Sequence, residues 1–311
     1  MIRLGLCCVF RKEPIRFRTA TAAALRRLDR ATALERIAAL CLQNAAALRQ
    51  ALEYCASHGI GDFRINSRIL PLRTHPQAGY RMSELPGARR IVAAFRECGR
   101  FARERGLRLT FHPDQFVLLS SPQPAVTKSS LAELAYQAEV AEWVNADVIN
   151  IHAGGTYGDK RQALARLSRA LQNLPDRVRR RLTLENDERS YTPRDLLPFC
   201  RSEQVPLVYD AHHHRCLPDG WSVAQASERA AATWNREPLF HVSSPKDGWT
   251  GPAPSRHHDY IAPRDFPREW LRRNITVEVE AKAKELAVAR LARYLRARGA
   301  RLRGPAAPTR G

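Results

Sequence analysis

The sequence predicts a single (β/α)8 barrel of the TIM type. Three observations carry that expectation. Eight short apolar runs alternate with longer amphipathic stretches, and the alternation covers nearly all of the 311 residues in one pass. No linker or change of composition divides the chain. From the second run onward, each run closes on, carries or leads to a His, Asp or Glu.

IRLGLCC (2–8) begins the chain with an apolar run and leads to ALERIAALCLQNAAALRQALEYCASHG (33–59), whose Ala, Leu, Glu and Arg repeat at helical spacing. DFRINS (62–67) is the second strand and passes through Ser67 to PLRTHP, which holds His75. LRLTFHP (107–113) ends at His112 and is followed by the helical SLAELAYQAEVAEWVNA (130–146). DVINIHA (147–153) ends at His152, LTLEND (182–187) at Glu185, and PLVYDAH (206–212) at Asp210 with His213 just beyond. LFHVSS (239–244) carries His241, and TVEVEA (276–281) ends at Glu280. Parallel neighbours need a crossover between them, and the helical stretches supply it. The open alternative, a doubly wound sheet, lacks a G-x-G-x-x-G after the first strand. These features define a barrel domain over 1–298. The Arg-, Gly- and Pro-rich end, 299–311, reads as a flexible tail.

In such a barrel the C-terminal strand ends form one face, so residues distant in sequence meet there. His, Asp and Glu together suit divalent ions such as Mn²⁺, Zn²⁺ or Fe²⁺. A lone strand-end His is more often a hydrogen-bonded core residue; a succession of ligand types at one rim is not explained that way. The candidates are His112, His152, Glu185, Asp210, His213, His241, His257 and Glu280, with His75 nearby. They outnumber the ligands of one ion, so two or three ions with bridging carboxylates are expected. Such clusters suit phosphoryl transfer, because they activate water and neutralise the attacking and leaving oxygens.

Three consecutive histidines cannot face one way on any regular backbone. Of His212, His213 and His214, His213 is expected to join Asp210, turned back by a loop, while the others pack elsewhere. Cys216 is not expected to be a ligand. In SRHHDY (255–260), His257 and Asp259 alternate and would face one ion, with His258 opposite.

The formal charge is +20, which favours a polyanionic partner, although Arg- and Ala-rich composition can also reflect coding bias. The seven cysteines are odd in number and form no C-x-x-C pair, the usage of a reducing compartment. No run reaches membrane-spanning length and no secretory pattern opens the chain, so a cytoplasmic monomer is expected.

FRINSRILPLRTHP, HPDQF, NIHAGG-x-YGDK, LENDER, VYDAHHH, H-x-S, HHDYI and VEVEAKAKE occur in this order. With them, residues from Met1 to about Lys284 resemble the UV damage endonucleases, barrel enzymes related to the endonuclease IV group. The resemblance implies hydrolysis of the phosphodiester immediately 5′ to a lesion in double-stranded DNA, leaving a 3′-hydroxyl, with Mn²⁺ as the usual ion. It implies a three-ion site. His112 and His152 would hold one ion, and Glu185 would bridge to the next. Asp210, His241 and Glu280 would complete the second, and His213 and His257 would serve the third. His75 would lie near the scissile phosphate, so His75, Glu185 and Glu280 are the expected catalytic residues. Gln115 and Phe116 would probe the lesion.

The chain departs from the family pattern at Leu239, two residues before His241, where the family's Lys can be carboxylated beside the ions, and at positions implied to read the lesion: Phe116 in place of Tyr, and Leu6 and Phe10 in place of Tyr and Asn. Three other readings stand beside it: an abasic-site endonuclease, a sugar isomerase of similar architecture, and a non-catalytic DNA-binding relative that kept the cage for stability. An isomerase would not need the positive charge or the His213/His257 pair.

Overall fold

The structure, a computed structural model, describes residues 1–306. The chain runs β1 (Ile2–Cys7), α1 (Ala22–Leu25), α2 (Arg30–Ser57), β2 (Asp62–Ile65), α3 (Ala88–Glu104), β3 (Arg108–Phe111), α4 (Pro124–Val144) and β4 (Val148–His152). It continues through α5 (Lys160–Gln172), α6 (Asp176–Arg179), β5 (Leu182–Glu185), α7 (Pro193–Ser202), β6 (Leu207–Asp210), α8 (Ala211–Cys216), α9 (Val223–Ala231), β7 (Leu239–Val242), β8 (Ile275–Val279) and α10 (Glu285–Ala297). The eight strands are parallel and close into one barrel, β8 returning to β1. Each expected strand is present. No described helix is long and apolar enough to cross a membrane.

Local chemistry sets the helix boundaries. Asp29 caps α2 by accepting from Thr32 N–H, and Thr192 and Ser222 head capping boxes on α7 and α9. Asn145 ends α4 in the left-handed region, at φ 59°.

Side chains alternate in and out along each strand, so residues two apart share the barrel interior. At β1 the inward position is Gly5, where a Cβ would run into the carboxylate of Asp62. Glycine is thus what leaves room for a buried acid in the barrel. The register then sets His152 beside Glu185 and Asp210 beside His241.

Three sequence expectations are corrected by the fold. Leu6 and Phe10 do not lie on a DNA-facing surface. Leu6 belongs to the core between barrel and helices, and Phe10 is packed on Tyr54 and Phe63 with ring centroids 5.2 and 6.1 Å away. The segment expected to be a flexible tail from 299 is held by backbone bonds over its described part. Ile2 N–H donates to Arg301 O, Arg303 N–H to Ile2 O, and Ala306 N–H to Arg105 O. Arg303 also pairs with Glu237 at 3.0 Å. This strip lies at the start of β1, the pole opposite the strand ends; residues 307–311 fall outside the described part. Finally, His213 is not turned back by a loop. β6 stops at Asp210, and the triple histidine lies on the helical turn α8.

Candidate metal centre

Asp210 is both the last residue of β6 and the N-cap of α8. Its Oδ1 accepts from His213 N–H at 2.8 Å, and Asn186 bonds its backbone N–H and C=O at 2.9 Å each. This fixes the carboxylate and starts a helical turn that splays the three histidines. His213 turns into the barrel mouth, its Nδ1 3.5 Å from Glu185 Oε1 and 3.8 Å from Asp210 Oδ2. His214 packs away from it, bonded to Tyr209 O–H at 2.8 Å and Asp219 at 2.9 Å. His212 is buried between Trp249 and His257, and neither ring nitrogen makes a hydrogen bond.

Seven of the eight candidates fall into three overlapping groups whose ligand atoms lie within 4.8 Å of one another. One is His112, His152 and Glu185; the next Glu185, Asp210 and His213; the third Asp210, His241 and Glu280. Two carboxylates, Glu185 and Asp210, are each shared by neighbouring groups, so the three form one continuous arc. At its centre Glu185 meets His112 Nε2 at 2.9 Å through Oε2 and His241 Nδ1 at 3.0 Å through Oε1. His241 Nδ1 lies 3.6 Å from Glu280.

The eighth candidate, His257, stands at the rim, with Nδ1 3.8 Å from Glu280 Oε2 and its ring 6.5 Å from that of His213. It joins no three-residue group among the described residues. Asp259, its expected companion, is exposed and joins none either. His75 lies apart from the arc. Its Nδ1 accepts from the backbone N–H of Gln77 and Ala78 at 3.1 Å each. An accepting Nδ1 puts the proton of the neutral ring on Nε2, leaving that nitrogen a donor.

The electrostatics fit a cation site. Burial pushes the Glu185 carboxyl up, but His241, His152 and His112 outweigh it and hold it well below the usual range. Burial pulls His213 down, yet Asp210, Glu185, Glu280 and Glu188 raise it to about 9. His152 is lowered, chiefly by burial. Asp210 Oδ2 and His152 Nδ1 are buried without a hydrogen-bond partner. Such orphaned atoms call for a bonding partner, and a divalent ion taking nitrogen and oxygen ligands would supply it.

Several participants escaped sequence reading. Asn150 donates to Glu185 Oε2 at 2.5 Å. Glu278 sits 3.1 Å from His241 Nε2 without hydrogen-bond alignment, accepts from Thr110, and pairs with Arg64 at 3.0 Å. Strand parity was the available signal, since Glu278 precedes Glu280 by two and Asn150 precedes His152 by two. Cys7, Glu278 and Glu280 also lie close together, but the Arg64 guanidinium is already bound to both carboxylates. Leu239, two residues before His241 on the inward face, packs with Val148 and Val208 one layer beneath the arc.

Gln115 and Phe116 are exposed on the loop after β3, Phe116 to 73%. Tyr157, on the loop after β4, is 43% exposed and was not anticipated. The two loops dock where Gly154, at φ +91°, leaves room for Ser120. A cavity of about 480 Å³ beside Phe116 is lined by His75, Asp114, Arg68 and Tyr136 among others.

The family model described as UV-endonuclease UvdE matches residues 2–302. The UV DNA damage endonuclease of Deinococcus radiodurans is 36% identical over 295 residues, covering 93% of this chain and 94% of the relative. That of Bacillus velezensis is 34% identical over 307 residues, covering 93% and 91%. The crystal structure of SacUVDE superposes with a TM-score of 0.87 at 25% identity, over 97% of this chain and 100% of that one.

Proposed function

As a member of the UV-endonuclease UvdE family, the chain is a DNA repair endonuclease, and we propose that it hydrolyses the phosphodiester immediately 5′ to a UV-type or other helix-distorting lesion, using two or three divalent ions held at the barrel mouth. The observation that carries the metal reading is the arc of three ligand groups joined through Glu185 and Asp210. Divalent ions so held would activate water and neutralise charge on the attacking and leaving oxygens. The donor set is imidazole nitrogen and carboxylate oxygen without thiolate, which suits Mn²⁺ and also admits Zn²⁺ or Fe²⁺.

In this reading the chain's residues divide the work. His112 and His152 hold one end of the arc, with Glu185 the bridge to its middle. Asp210, His241 and Glu280 hold the other end, and His213 with His257 serves the rim. Asn150 donates to the shared carboxylate of Glu185, and Asn186 holds the backbone of Asp210, the other shared acid. His75, with Nδ1 tied to backbone N–H groups, presents its Nε2–H as a donor for a phosphate oxygen. Phe116, with Gln115, enters the duplex at the lesion; its ring stacks as a tyrosine's would, because stacking needs only the π face. Lesions that weaken stacking lower the cost of that entry, a source of selectivity for double-stranded DNA damaged by light.

The test is incubation of the purified protein and Mn²⁺ with UV-irradiated, abasic and undamaged plasmid. The reading expects nicking of the irradiated plasmid above all, with cuts mapping 5′ to photoproducts. Cutting of the abasic plasmid alone would replace it with an abasic-site activity, and binding without cutting would make the chain a non-catalytic relative.

A further inference from the structure

A second cavity, of about 350 Å³, opens beside the arc on the side of β8. Its lining includes Arg64, Arg256, Lys282 and Lys284, and the only acid is Glu280. Arg256, Lys282 and Lys284 make no ion pair among the described residues. Arg64, only 8% exposed as a residue, is bound by Glu278 and Glu280 at 3.0 and 2.6 Å, which aims its guanidinium, and its Nε is buried without an acceptor. The wall is built rather than incidental. Lys282 N–H donates to His258 O and Ala283 N–H to Asp259 O, docking the turn after β8 on the loop that carries His257. Lys284 sits at φ 52°, ψ −120°, a conformation strained for any residue but glycine. It is also the residue from which α10, thirteen residues long, begins, so the positive end of that helix lies at the cavity.

Four cations, one of them buried and incompletely bonded, around a strained turn at a helix start form an anion receptor. We propose that this cavity is a phosphate subsite for the phosphodiester next to the scissile one in the cleaved strand. The inference rests on the reading of the chain as an endonuclease that cuts at the arc. The cavity shares Glu280 and His257 with the proposed cutting site. Phosphates of one strand follow at about 3.4 Å of axial rise, so a strand whose scissile phosphate lies at the arc brings the next within reach. Arg64 and Arg256 offer fork-shaped donors, and the lysines add point charge. The subsite would therefore hold the strand in line without reading any base.

The experiment measures binding of lesion duplexes in which one flanking linkage at a time is a neutral methylphosphonate. Binding is read by fluorescence anisotropy on ice, before nicking accumulates. In wild type, one flanking methylphosphonate is expected to weaken binding about tenfold, the loss of a charge-assisted hydrogen bond. Arg256→Ala/Lys284→Gly should bind the all-phosphate duplex about tenfold more weakly and be indifferent to that methylphosphonate. Glycine at 284 removes the charge and relaxes the strained backbone, so failure to fold does not confound the result. Arg256→Lys/Lys284→Arg should restore the sensitivity. Equal losses from the methylphosphonate in wild type and in the double variant would overturn the subsite, as would a wild type indifferent to both flanking substitutions. Nicking of the unmodified duplex with Mn²⁺ is scored separately: its absence counts against the endonuclease reading, whereas the binding comparison judges the cavity by itself.

Discussion

The arc at the barrel mouth and the layer beneath it come from the same strands, two to four residues apart, and treat burial in opposite ways. In the arc, Glu185, Asp210 and His241 are almost wholly withdrawn from water, and the atoms Asp210 Oδ2 and His152 Nδ1 find no protein partner. One layer down, the β4, β6 and β7 positions are Val148, Val208 and Leu239, all fully buried. On the facing side, Arg108 is bonded to Asp147 and Thr276, and Arg3 to Glu237. This part of the floor is thus dry or internally paired; the exception at that pole is Asp62, whose buried carboxyl has no hydrogen-bond partner and is pushed well above the usual range by burial. Unmet buried polarity costs stability. A carboxyl held neutral, as burial favours at Asp62, lowers that cost, whereas the open oxygen and nitrogen atoms of the arc are what a site for bound cations needs, because ions can complete bonds the chain leaves open.

That contrast can be broken by substitution. The largest effect is expected from Glu185→Gln, which keeps the shape but removes the charge shared by two groups. It should lower ion content and reduce nicking by about a thousandfold or more, as loss of a group acting on several others does. His213→Ala should likewise abolish nicking, while His214→Ala, lost from a contact with Tyr209 and Asp219, should largely preserve it. The floor should answer the other way. Leu239→Ala opens a cavity and should cost about 2–5 kcal/mol in denaturant melts, with the ion count unchanged.

The pH response sharpens the same contrast. The folded His213 is raised to about 9, above its ordinary value of about 6.5. Its contribution to stability is therefore fully present below about pH 6.5 and is lost as pH rises through about 9. The melting temperature of chelator-stripped protein should fall across that window. Divalent ions compete for the same nitrogen, so adding them should release protons and remove the fall. The smallest effect on the fold belongs to Phe116, which is 73% exposed. Phe116→Ala should leave the melting temperature in place and weaken lesion-duplex binding by about 1–3 kcal/mol.

What could be read in the sequence follows the same division. Strand order, barrel closure and seven of the eight candidate positions now gathered in the arc were legible, because each terminates, carries or closely follows an apolar run and parallel topology brings such ends together. Glu278 and Asn150 were hidden in strand interiors, where only inward parity marks them. Leu239 was read beside the ions because it precedes His241 by two. Its layer depends on barrel geometry, since two residues rise roughly 6.6 Å and put it in the floor. Leu6 and Phe10 looked like DNA-facing positions from alignment to a motif, but parity at β1 turns Leu6 outward into the helix layer. The pairing of residues 300–306 under β1 was illegible, because backbone hydrogen bonds leave no mark in side-chain composition.

The most direct test of the central claim is elemental analysis of the purified wild-type protein alongside Glu185→Gln after identical exposure to Mn²⁺. A shared arc predicts two or three ions per chain in the wild type and a loss of more than one from the single substitution, because Glu185 belongs to two ligand groups. One ion or none in the wild type, or a full complement in Glu185→Gln, would contradict it.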